Sequence, residues 1–159
     1  MDSMYVHIPF CNRICTYCDF NKVLIKNQPV DDYIDALISE LKSYDRQALK
    51  TIYVGGGTPT ALSVQQLDRL LKFITEHFTV TDEFTFEANP DELTTEKLDV
   101  LHYYGVNRVS LGVQTFNNDL LKVLGRTHNF DDIFKSVNHL EKIGLNNYSL
   151  DLMYNLPGE

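Results

Sequence analysis

Three cysteines lie close together near the start of the chain, and the sequence contains no others. Cys11, Cys15 and Cys18 have the spacing C-x3-C-x2-C, so a short loop that bends back on itself can bring their thiolates to one face of a metal centre. Most [4Fe–4S] clusters take four cysteine ligands. Three thiolates would leave one iron without a protein ligand, and that iron could bind a small molecule.

The same cysteines also fit two simpler kinds of site. A zinc ion could take the three thiolates together with His7 or Asp19 as its fourth ligand. Cys15 and Cys18 alone could form a redox C-x-x-C pair. An odd number of closely spaced cysteines is poor material for a secreted disulfide framework. The cysteines by themselves therefore leave a cluster, a zinc site and a redox pair open.

A glycine-rich turn, Gly55–Pro59, follows the second predicted strand. Its glycines would let a ligand approach the backbone closely, and their N–H groups could face an anionic or polar group. Loops after strands are often glycine-rich for purely conformational reasons. The turn is a candidate ligand contact only in combination with other polar groups.

Four polar residues further along the chain are candidates for such a combination. Glu87 ends the third predicted strand among apolar neighbours, where a carboxylate needs a partner such as a ligand amine or a salt bridge to the next strand. Gln114 ends the fourth strand, although it could be an exposed turn residue. Arg126 could be a solvated surface charge. Asp151 lies inside an apolar strand, where aspartate is uncommon.

Short β-rich runs alternate with longer helical runs along the whole chain, which is typical of β/α units with a parallel sheet. Ser63 and Gln66 resemble a capping box that opens a helix, and Gly105 and Gly144 stand where helices end. Two apolar helix faces are predicted, one from Tyr33, Leu37, Ile38 and Leu41, and one from Leu67, Leu70, Leu71, Ile74 and Phe78. The predicted strands are Met4–Ile8, Thr51–Gly55, Glu83–Ala88, Arg108–Val113 and Asn147–Tyr154.

The candidate site residues share one position in the predicted fold. The cysteine loop, the glycine turn, Glu87 and Gln114 each fall at or just after the carboxyl end of a predicted parallel strand. Barrels and open α/β sheets place their ligands at that edge. The sequence therefore predicts a single ligand site there.

Composition excludes several other classes of protein. With 14 basic and 22 acidic side chains the net charge is −8, so no broad positive field would attract a nucleic acid or an anionic membrane. No apolar run approaches the ~20 residues that span a bilayer. The start of the chain also lacks the basic and apolar regions of a signal peptide. We expect a cytoplasmic globular protein with no membrane span.

The segment from Tyr5 through Cys18 to Phe20 resembles the signature of the radical S-adenosylmethionine (SAM) superfamily, in which an aromatic residue precedes the last cysteine. This resemblance implies a [4Fe–4S] cluster held by Cys11, Cys15 and Cys18. It also implies SAM at the open iron, where one-electron reduction yields a 5′-deoxyadenosyl radical. Gly55–Pro59 is similar to the GGGTP segment that contacts the amino group of the SAM methionine moiety.

Within that superfamily, nearly the whole chain resembles the oxygen-independent coproporphyrinogen III oxidase family, including its heme-chaperone branch. The implied fold is α/β, the N-terminal part of a partial (β/α) TIM-like barrel with about five parallel strands and outer helices. A closed barrel normally takes ~250 residues, so residues 1–159 would be a radical SAM core domain truncated at its C-terminal side. The positions that match the family's SAM contacts are Tyr5, Tyr17, Gly56, Gly57, Thr58, Glu87, Gln114, Arg126 and Asp151.

Two departures favour the heme-chaperone branch. Phe20 stands where the oxidases carry a further cysteine, and the chain reaches its first strand at Met4 without the oxidases' N-terminal extension. The resemblance then implies heme as ligand, a heme-accepting protein and an electron donor as partners. The alternative is an oxidase that decarboxylates coproporphyrinogen III to protoporphyrinogen IX. From another class, a zinc-stabilised β/α binding module remains possible.

Overall fold

A computed structural model describes residues 2–159 of the chain. After three strands at the start, helices and strands alternate except for two consecutive helices before the last strand, and a 3₁₀ turn lies at Pro59–Ala61. The strands are β1 (Ser3–Ile8), β2 (Phe10–Cys11), β3 (Val23–Leu24), β4 (Gln47–Gly56), β5 (Phe78–Ala88), β6 (Arg108–Gln114) and β7 (Tyr148–Leu152). The helices are α1 (Val30–Leu41), α2 (Val64–His77), α3 (Thr95–Tyr103), α4 (Asn118–Val123) and α5 (Phe130–Lys142).

Five strands form one parallel sheet in the order β1-β4-β5-β6-β7. This confirms the predicted α/β class and the five parallel strands. The remaining strands, β2 and β3, pair with each other outside the sheet and were not predicted. They bracket the cysteine loop, so this small ladder belongs to the site more than to the core.

Two strands begin earlier than the sequence indicated. β4 starts at Gln47 and β5 at Phe78, and their pairing shifts register between Leu49 and Thr51. Phe78 was predicted to complete a helix face, but it caps α2 and is the first residue of β5. A buried aromatic residue at this junction could belong to the apolar face of the helix or to the strand. Phe78 belongs to the strand because it pairs with Gln47 of β4.

The helix boundaries follow their local signals. Ser63 and Gln66 form the predicted capping box at the start of α2, each side chain bonded to the other's backbone N–H. Gly105 and Gly144 follow α3 and α5 in the left-handed conformation, with φ of 78° and 81°. No helix among residues 2–159 is both long and apolar enough to cross a bilayer.

The sheet has two different faces, because side chains alternate across each strand. One face is apolar and buried, with residues such as Ile52, Phe84 and Leu111 in the main hydrophobic core. The other face carries polar side chains in register across neighbouring strands. We call this the polar face; its residues are Tyr5, His7, Tyr53, Thr85, Glu87, Arg108, Ser110, Ser149 and Asp151.

Candidate functional site

A cleft of about 540 Å³ opens where the parallel strands end. Every predicted site residue except Tyr5 lines it. These residues come from segments that are far apart in the sequence, so the predicted convergence on one site is observed. The lining residues that the sequence predicted are Cys11, Cys15, Tyr17, Cys18, Gly56, Gly57, Thr58, Glu87, Gln114, Arg126 and Asp151.

Tyr5 lies on the polar face beside the cleft. Its hydroxyl contacts His7 Nδ1 at 2.9 Å, and its ring stacks on Tyr53 with centroids 6.0 Å apart. Tyr5 and Tyr33 line a separate, smaller cavity of about 290 Å³. Tyr53 itself donates to Glu87, which lines the main cleft, so Tyr5 is linked to the cleft through Tyr53.

The cysteine loop is fixed at both ends by backbone hydrogen bonds. The N–H of Val23 donates to Pro9 O at 2.8 Å, and the N–H of Ile25 donates to Cys11 O at 2.9 Å. These bonds close the short β2–β3 ladder and bury Cys11. The loop thus bends back on itself, as the cysteine spacing requires.

The middle of the loop is anchored to the end of α4. Thr16 donates from its backbone N–H to Leu124 O and from its hydroxyl to Val123 O, both at 3.2 Å. Tyr17 packs against a small hydrophobic cluster that includes Leu120 and Leu124. Burial is the largest cause that raises the pKa of Tyr17 to about 12, so its hydroxyl stays protonated at neutral pH.

All three cysteines are free thiols, and two have side-chain partners. Cys11 Sγ lies 3.6 Å from Thr58 Oγ1, and Cys15 Sγ lies 3.5 Å from Arg126 Nη1. Burial raises the pKa of the Cys11 thiol above its ordinary value. The hydrogen bond from Thr58 works in the opposite direction because it favours the thiolate.

The backbone N–H groups of Gly56, Gly57 and Thr58 are bonded within the protein, and that of Gly56 faces an anionic group, the Glu87 carboxylate. Gly56 donates to Glu87 Oε2 at 3.0 Å, Gly57 to Ile8 O at 2.8 Å and Thr58 to Phe10 O at 2.8 Å. A Cβ added at Gly57 would stand 2.7 Å from Phe10 O. Glycine is required here because two backbone segments, rather than backbone and ligand, approach closely.

Glu87 is held by a phenol and an amide rather than by a salt bridge. Tyr53 donates to Glu87 Oε1 at 2.6 Å, and the N–H of Gly56 donates to Oε2. The cation on the neighbouring strand, Arg108, pairs instead with Glu83 at 3.8 Å. A carboxylate has about four acceptor positions, so Glu87 keeps acceptor capacity toward the cleft.

Gln114 is the only cleft residue other than glycine with a left-handed backbone among residues 2–159, with φ of 66°. The β6–β7 pairing shifts register between Gly112 and Gln114, and Gln114 O accepts from the N–H of Met153. Non-glycine residues in this region cost about 1–3 kcal/mol and cluster at functional sites. Gln114 is therefore a constrained cleft residue and not an exposed turn residue.

Arg126 is bound on several sides. Its Nη2 donates to Asn89 Oδ1 at 2.6 Å and to Gly112 O at 2.8 Å, and its Nε donates to His128 Nδ1 at 3.4 Å. The Nε2 of His128 contacts Val113 O at 3.1 Å, so that nitrogen carries the hydrogen. Burial and the charge of Arg126 lower the pKa of His128, and a neutral ring is consistent with both contacts.

Asp151 is held by the neighbouring strand. The buried hydroxyl of Ser110 donates to Asp151 Oδ2 at 2.8 Å, and Ser110 Oγ also lies 3.1 Å from Ser149 Oγ. Arg108 Nη2 donates to the same Ser149 hydroxyl at 3.1 Å. The strand-interior aspartate thus belongs to a hydrogen-bonded row that joins β6 and β7.

Sequence reasoning missed four residues that orient the predicted ones: Tyr53, Asn89, Ser110 and His128. Strands of a parallel sheet usually read as continuous apolar runs, so the polar alternation in Thr51–Gly56 and Arg108–Gln114 was an available signal for Tyr53 and Ser110. Asn89 follows Glu87 by two residues. His128 has no sequence signal, because only the fold brings it to Val113.

Comparison with protein families decides the superfamily. The Radical SAM superfamily matches residues 5–159. The chain belongs to the radical SAM superfamily.

Two curated relatives and one solved structure place this radical SAM chain more closely. It is 54% identical over 160 residues to the heme chaperone HemW of Lactococcus lactis subsp. lactis, covering 99% of this chain and 42% of that protein. It is 50% identical over 166 residues to the heme chaperone HemW of Bacillus subtilis, covering 100% of this chain and 44% of that protein. The chain therefore spans less than half the length of these relatives.

The solved structure is the coproporphyrinogen III oxidase HemN of Escherichia coli, described as a radical SAM enzyme. It superposes with a TM-score of 0.90 at 36% identity, covering 99% of this chain and 38% of that one. The five-stranded sheet thus corresponds to the N-terminal part of a radical SAM TIM-like barrel, as predicted from the sequence.

Membership of the superfamily implies a [4Fe–4S] cluster and SAM, and the residues present fit them. Three free thiols line one cleft together with acceptor and donor side chains from three strands, β5, β6 and β7. Among residues 2–159, no three His, Cys, Asp or Glu side chains are grouped as ligands of a single metal ion. Both ring nitrogens of His7 already have partners, Tyr5 and Asn21. Neither the structure nor the comparisons support the zinc-stabilised module.

Proposed function

We propose that the full-length protein is a radical SAM heme chaperone, which binds heme and transfers it to an acceptor protein. The proposal rests mainly on Phe20, which stands where the resemblance to the oxidases implies a further cysteine. Its side chain is exposed on the rim of the cleft. The two HemW relatives, at 54% and 50% identity, support the same choice.

In this proposal Cys11, Cys15 and Cys18 hold the cluster, and SAM occupies the rest of the cleft. The cluster supplies one electron, and SAM supplies the radical chemistry when both are bound. Glu87 offers free acceptor positions for a ligand amine or hydroxyl, since its present partners use only two. Arg126 presents a cation beside Cys15 and Tyr17.

The remaining SAM contacts are proposed from the same resemblance and from their place in the cleft. Gln114 and Asp151 lie at the ends of β6 and β7, and Gly56–Thr58 forms the turn between β4 and the 3₁₀ turn. Tyr5 is proposed with them, although its side chain lies beside the cleft. We assign no catalytic residue.

A second candidate function is the oxidase, which decarboxylates coproporphyrinogen III. It is favoured by the structural match to HemN and by the complete set of SAM-contacting residue types. A radical decarboxylase must hold each propionate within hydrogen-transfer distance of the reacting carbon. A misplacement of 1 Å can cost about 100-fold in rate.

The cofactor part of the proposal is tested on the full-length protein, reconstituted anaerobically with iron and sulfide. We expect a [4Fe–4S] cluster by visible absorption and iron analysis, and its loss in each of the Cys11→Ala, Cys15→Ala and Cys18→Ala variants. SAM should change the electron paramagnetic resonance (EPR) spectrum of the reduced cluster. A stoichiometric zinc ion without cluster absorption would contradict this.

The heme part is tested separately. The same protein is titrated with heme and followed by its Soret absorption. It is then incubated anaerobically with coproporphyrinogen III, SAM and a reductant, and protoporphyrinogen IX is assayed. We expect saturable heme binding and no turnover. Turnover at enzymatic rates by this protein would establish the oxidase instead and would show that the activity does not need a cysteine in place of Phe20.

Four further proposals accompany the chaperone function. An electron donor would reduce the cluster, and a heme-accepting protein would receive the ligand. The cytoplasm is proposed as the location. Residues 1–159 are proposed to form the N-terminal portion of the radical SAM core, because the relatives extend well beyond the matched region.

A further inference from the structure

Asn89 lies between two side chains that contact cysteines of the loop. Its Oδ1 accepts from Arg126 Nη2 at 2.6 Å, and its Nδ2 donates to Thr58 Oγ1 at 3.2 Å. Arg126 Nη1 lies 3.5 Å from Cys15 Sγ, and Thr58 Oγ1 lies 3.6 Å from Cys11 Sγ. One amide therefore connects the two cysteines through a chain of hydrogen bonds.

The direction of every hydrogen bond in this chain is fixed by chemistry. A guanidinium group can only donate, so Asn89 must turn its oxygen toward Arg126 and its NH₂ group toward Thr58. The NH₂ group can only donate, so Thr58 Oγ1 accepts from it. The hydroxyl hydrogen of Thr58 is then free to point at the sulfur of Cys11. An iron-bound thiolate has no hydrogen and can only accept.

The surroundings keep Asn89 in this place. Its backbone N–H donates to Thr60 Oγ1 at 3.2 Å, and its carbonyl accepts from the N–H groups of Glu92 and Leu93, both at 3.1 Å. Thr58 is only 7% exposed, so water cannot readily replace a lost hydrogen bond at its hydroxyl. The chain is therefore built into the fold and does not depend on a mobile side chain.

We propose that Asn89 is a positioning residue for the cluster: it directs the Thr58 hydroxyl hydrogen to the sulfur of Cys11 and holds Arg126 against Cys15. This inference rests on the proposed function, because it concerns a cluster bound by these cysteines. Hydrogen bonds to the ligand sulfurs are one of the factors that set the reduction potential of an iron–sulfur cluster. Donors at the sulfur stabilise the more negative, reduced state.

The test uses a substitution that reverses one bond and keeps the other. In Asn89→Asp the new carboxylate still accepts from Arg126, but it cannot donate to Thr58, so the Thr58 hydroxyl must turn away from Cys11 to donate to it. Thr58→Val removes the hydroxyl itself. Cluster midpoint potentials are measured by EPR-monitored titration of the reconstituted full-length protein. We expect both variants to have a more negative potential than the wild type.

The double variant separates this mechanism from a simple charge effect. If the carboxylate acts by withdrawing the Thr58 hydroxyl, Asn89→Asp adds little further shift in a Thr58→Val background, because the same hydrogen bond is already lost. If it acts only through its charge, the two shifts add, and the inference is wrong. Asn146→Asp is the matched control, because Asn146 is exposed in the loop before β7. The cluster midpoint potential of this variant should equal that of the wild type.

Asn89→Leu tests whether Asn89 holds Arg126 against Cys15. It removes the acceptor of Arg126 as well, so half-maximal change of the EPR spectrum should need about tenfold more SAM than in Asn89→Asp. If both variants needed the same SAM concentration for half-maximal change of the spectrum, the claim that Asn89 holds Arg126 would be wrong.

Should Asn89→Leu fail to fold, the double-mutant cycle of Asn89→Asp and Thr58→Val decides the inference alone. A wild type without a cluster overturns the proposed function and the inference together, whereas additive shifts overturn the inference only.

Discussion

Side chains on the polar face are oriented by neighbours on the adjacent strand. Tyr53 holds Glu87, and Ser110 holds Asp151, in each case through a hydrogen bond of 2.6–2.8 Å. Because these partners are part of the protein, the carboxylates have defined directions before a ligand arrives. Such support from surrounding residues is what keeps a binding site within tight geometric limits.

Glu87→Gln should weaken SAM binding by about 1–3 kcal/mol, which is roughly 5- to 150-fold in affinity. Tyr53 and the N–H of Gly56 both donate to Glu87, and a glutamine would meet one of these donors with its own NH₂ group. SAM affinity is measured from the EPR spectrum of the reduced cluster. Glu83→Gln is the control on the same strand, since Glu83 pairs with Arg108 and does not line the cleft. Equal affinities for Glu87→Gln and Glu83→Gln would contradict the role of Glu87.

His128 should make the protein less stable at acidic pH. Its pKa in the folded state is lowered below the ordinary 6.5, mainly by burial. Between the lowered pKa of the folded state and the ordinary pKa of 6.5, unfolded chains therefore bind a proton that folded chains do not. The contribution of His128 to stability is fully present above about pH 6.5 and is lost as the pH falls toward the pKa of the folded state. In thermal unfolding between pH 7.5 and 5, His128→Gln should reduce this loss. Glutamine can keep both hydrogen bonds but does not titrate, so an unchanged pH dependence would exclude His128 as the cause.

At the scale of elements, α4 connects the fold to the cysteine loop. It spans only Asn118–Val123 and was not predicted, because six residues are too few to show a helical period. Its end signals were present in the sequence: Asn117 caps the start, accepting from the N–H of Asp119 at 2.8 Å, and Gly125 follows the end. Short functional helices are better detected from such caps than from periodicity.

Gly125→Ala should destabilise the protein by about 1–2 kcal/mol, the cost of placing an L-residue in the left-handed conformation. Gly125 has φ of 72°, and an added Cβ would lie 3.4 Å from Thr16 Cγ2 in the cysteine loop. Gly144→Ala is the matched control: its φ is 81°, and its Cβ would meet nothing within 4 Å.

Urea unfolding of the full-length protein should show similar losses of stability in the two glycine variants. Only Gly125→Ala should also release iron faster from the reconstituted cluster, because it alone crowds the loop at Thr16. Equal rates of iron release would mean that contact between α4 and the loop does not control cluster retention.

At the scale of the whole molecule, the sequence was sufficient to predict the α/β class and the five parallel strands of the sheet. Alternating strands and helices with short connections allow few topologies, and parallel strands bring their carboxyl ends to one edge. This is why Glu87 and Gln114 could be placed together in advance. The contact of Cys15 with Arg126 joins residues 111 positions apart, and side-chain packing of that kind is not visible in a local pattern.

The isolated chain of 159 residues should self-associate through β7. Within residues 2–159 this strand pairs with β6 alone, and Leu152 at its end is 59% exposed. Unprotected strand edges are templates for pairing with other chains. In light scattering over a range of concentrations, Leu152→Lys should shift the chain toward monomer. Tyr103→Lys is the control, because Tyr103 is 80% exposed on α3 and lies on no strand edge; an equal effect of both substitutions would point to general hydrophobicity.

The distance in sequence between the cysteines and their partners has a consequence for synthesis in the cell. Cys15 leaves the ribosome before Arg126, which contacts it and lies 111 residues further along the chain. At about 5–20 residues per second, that interval lasts roughly 5–20 seconds. During this time the nascent chain exposes three reactive thiols without the loop anchor of α4. Any cluster bound by these cysteines would therefore gain the contacts from Arg126 and α4 only after that segment has been synthesised.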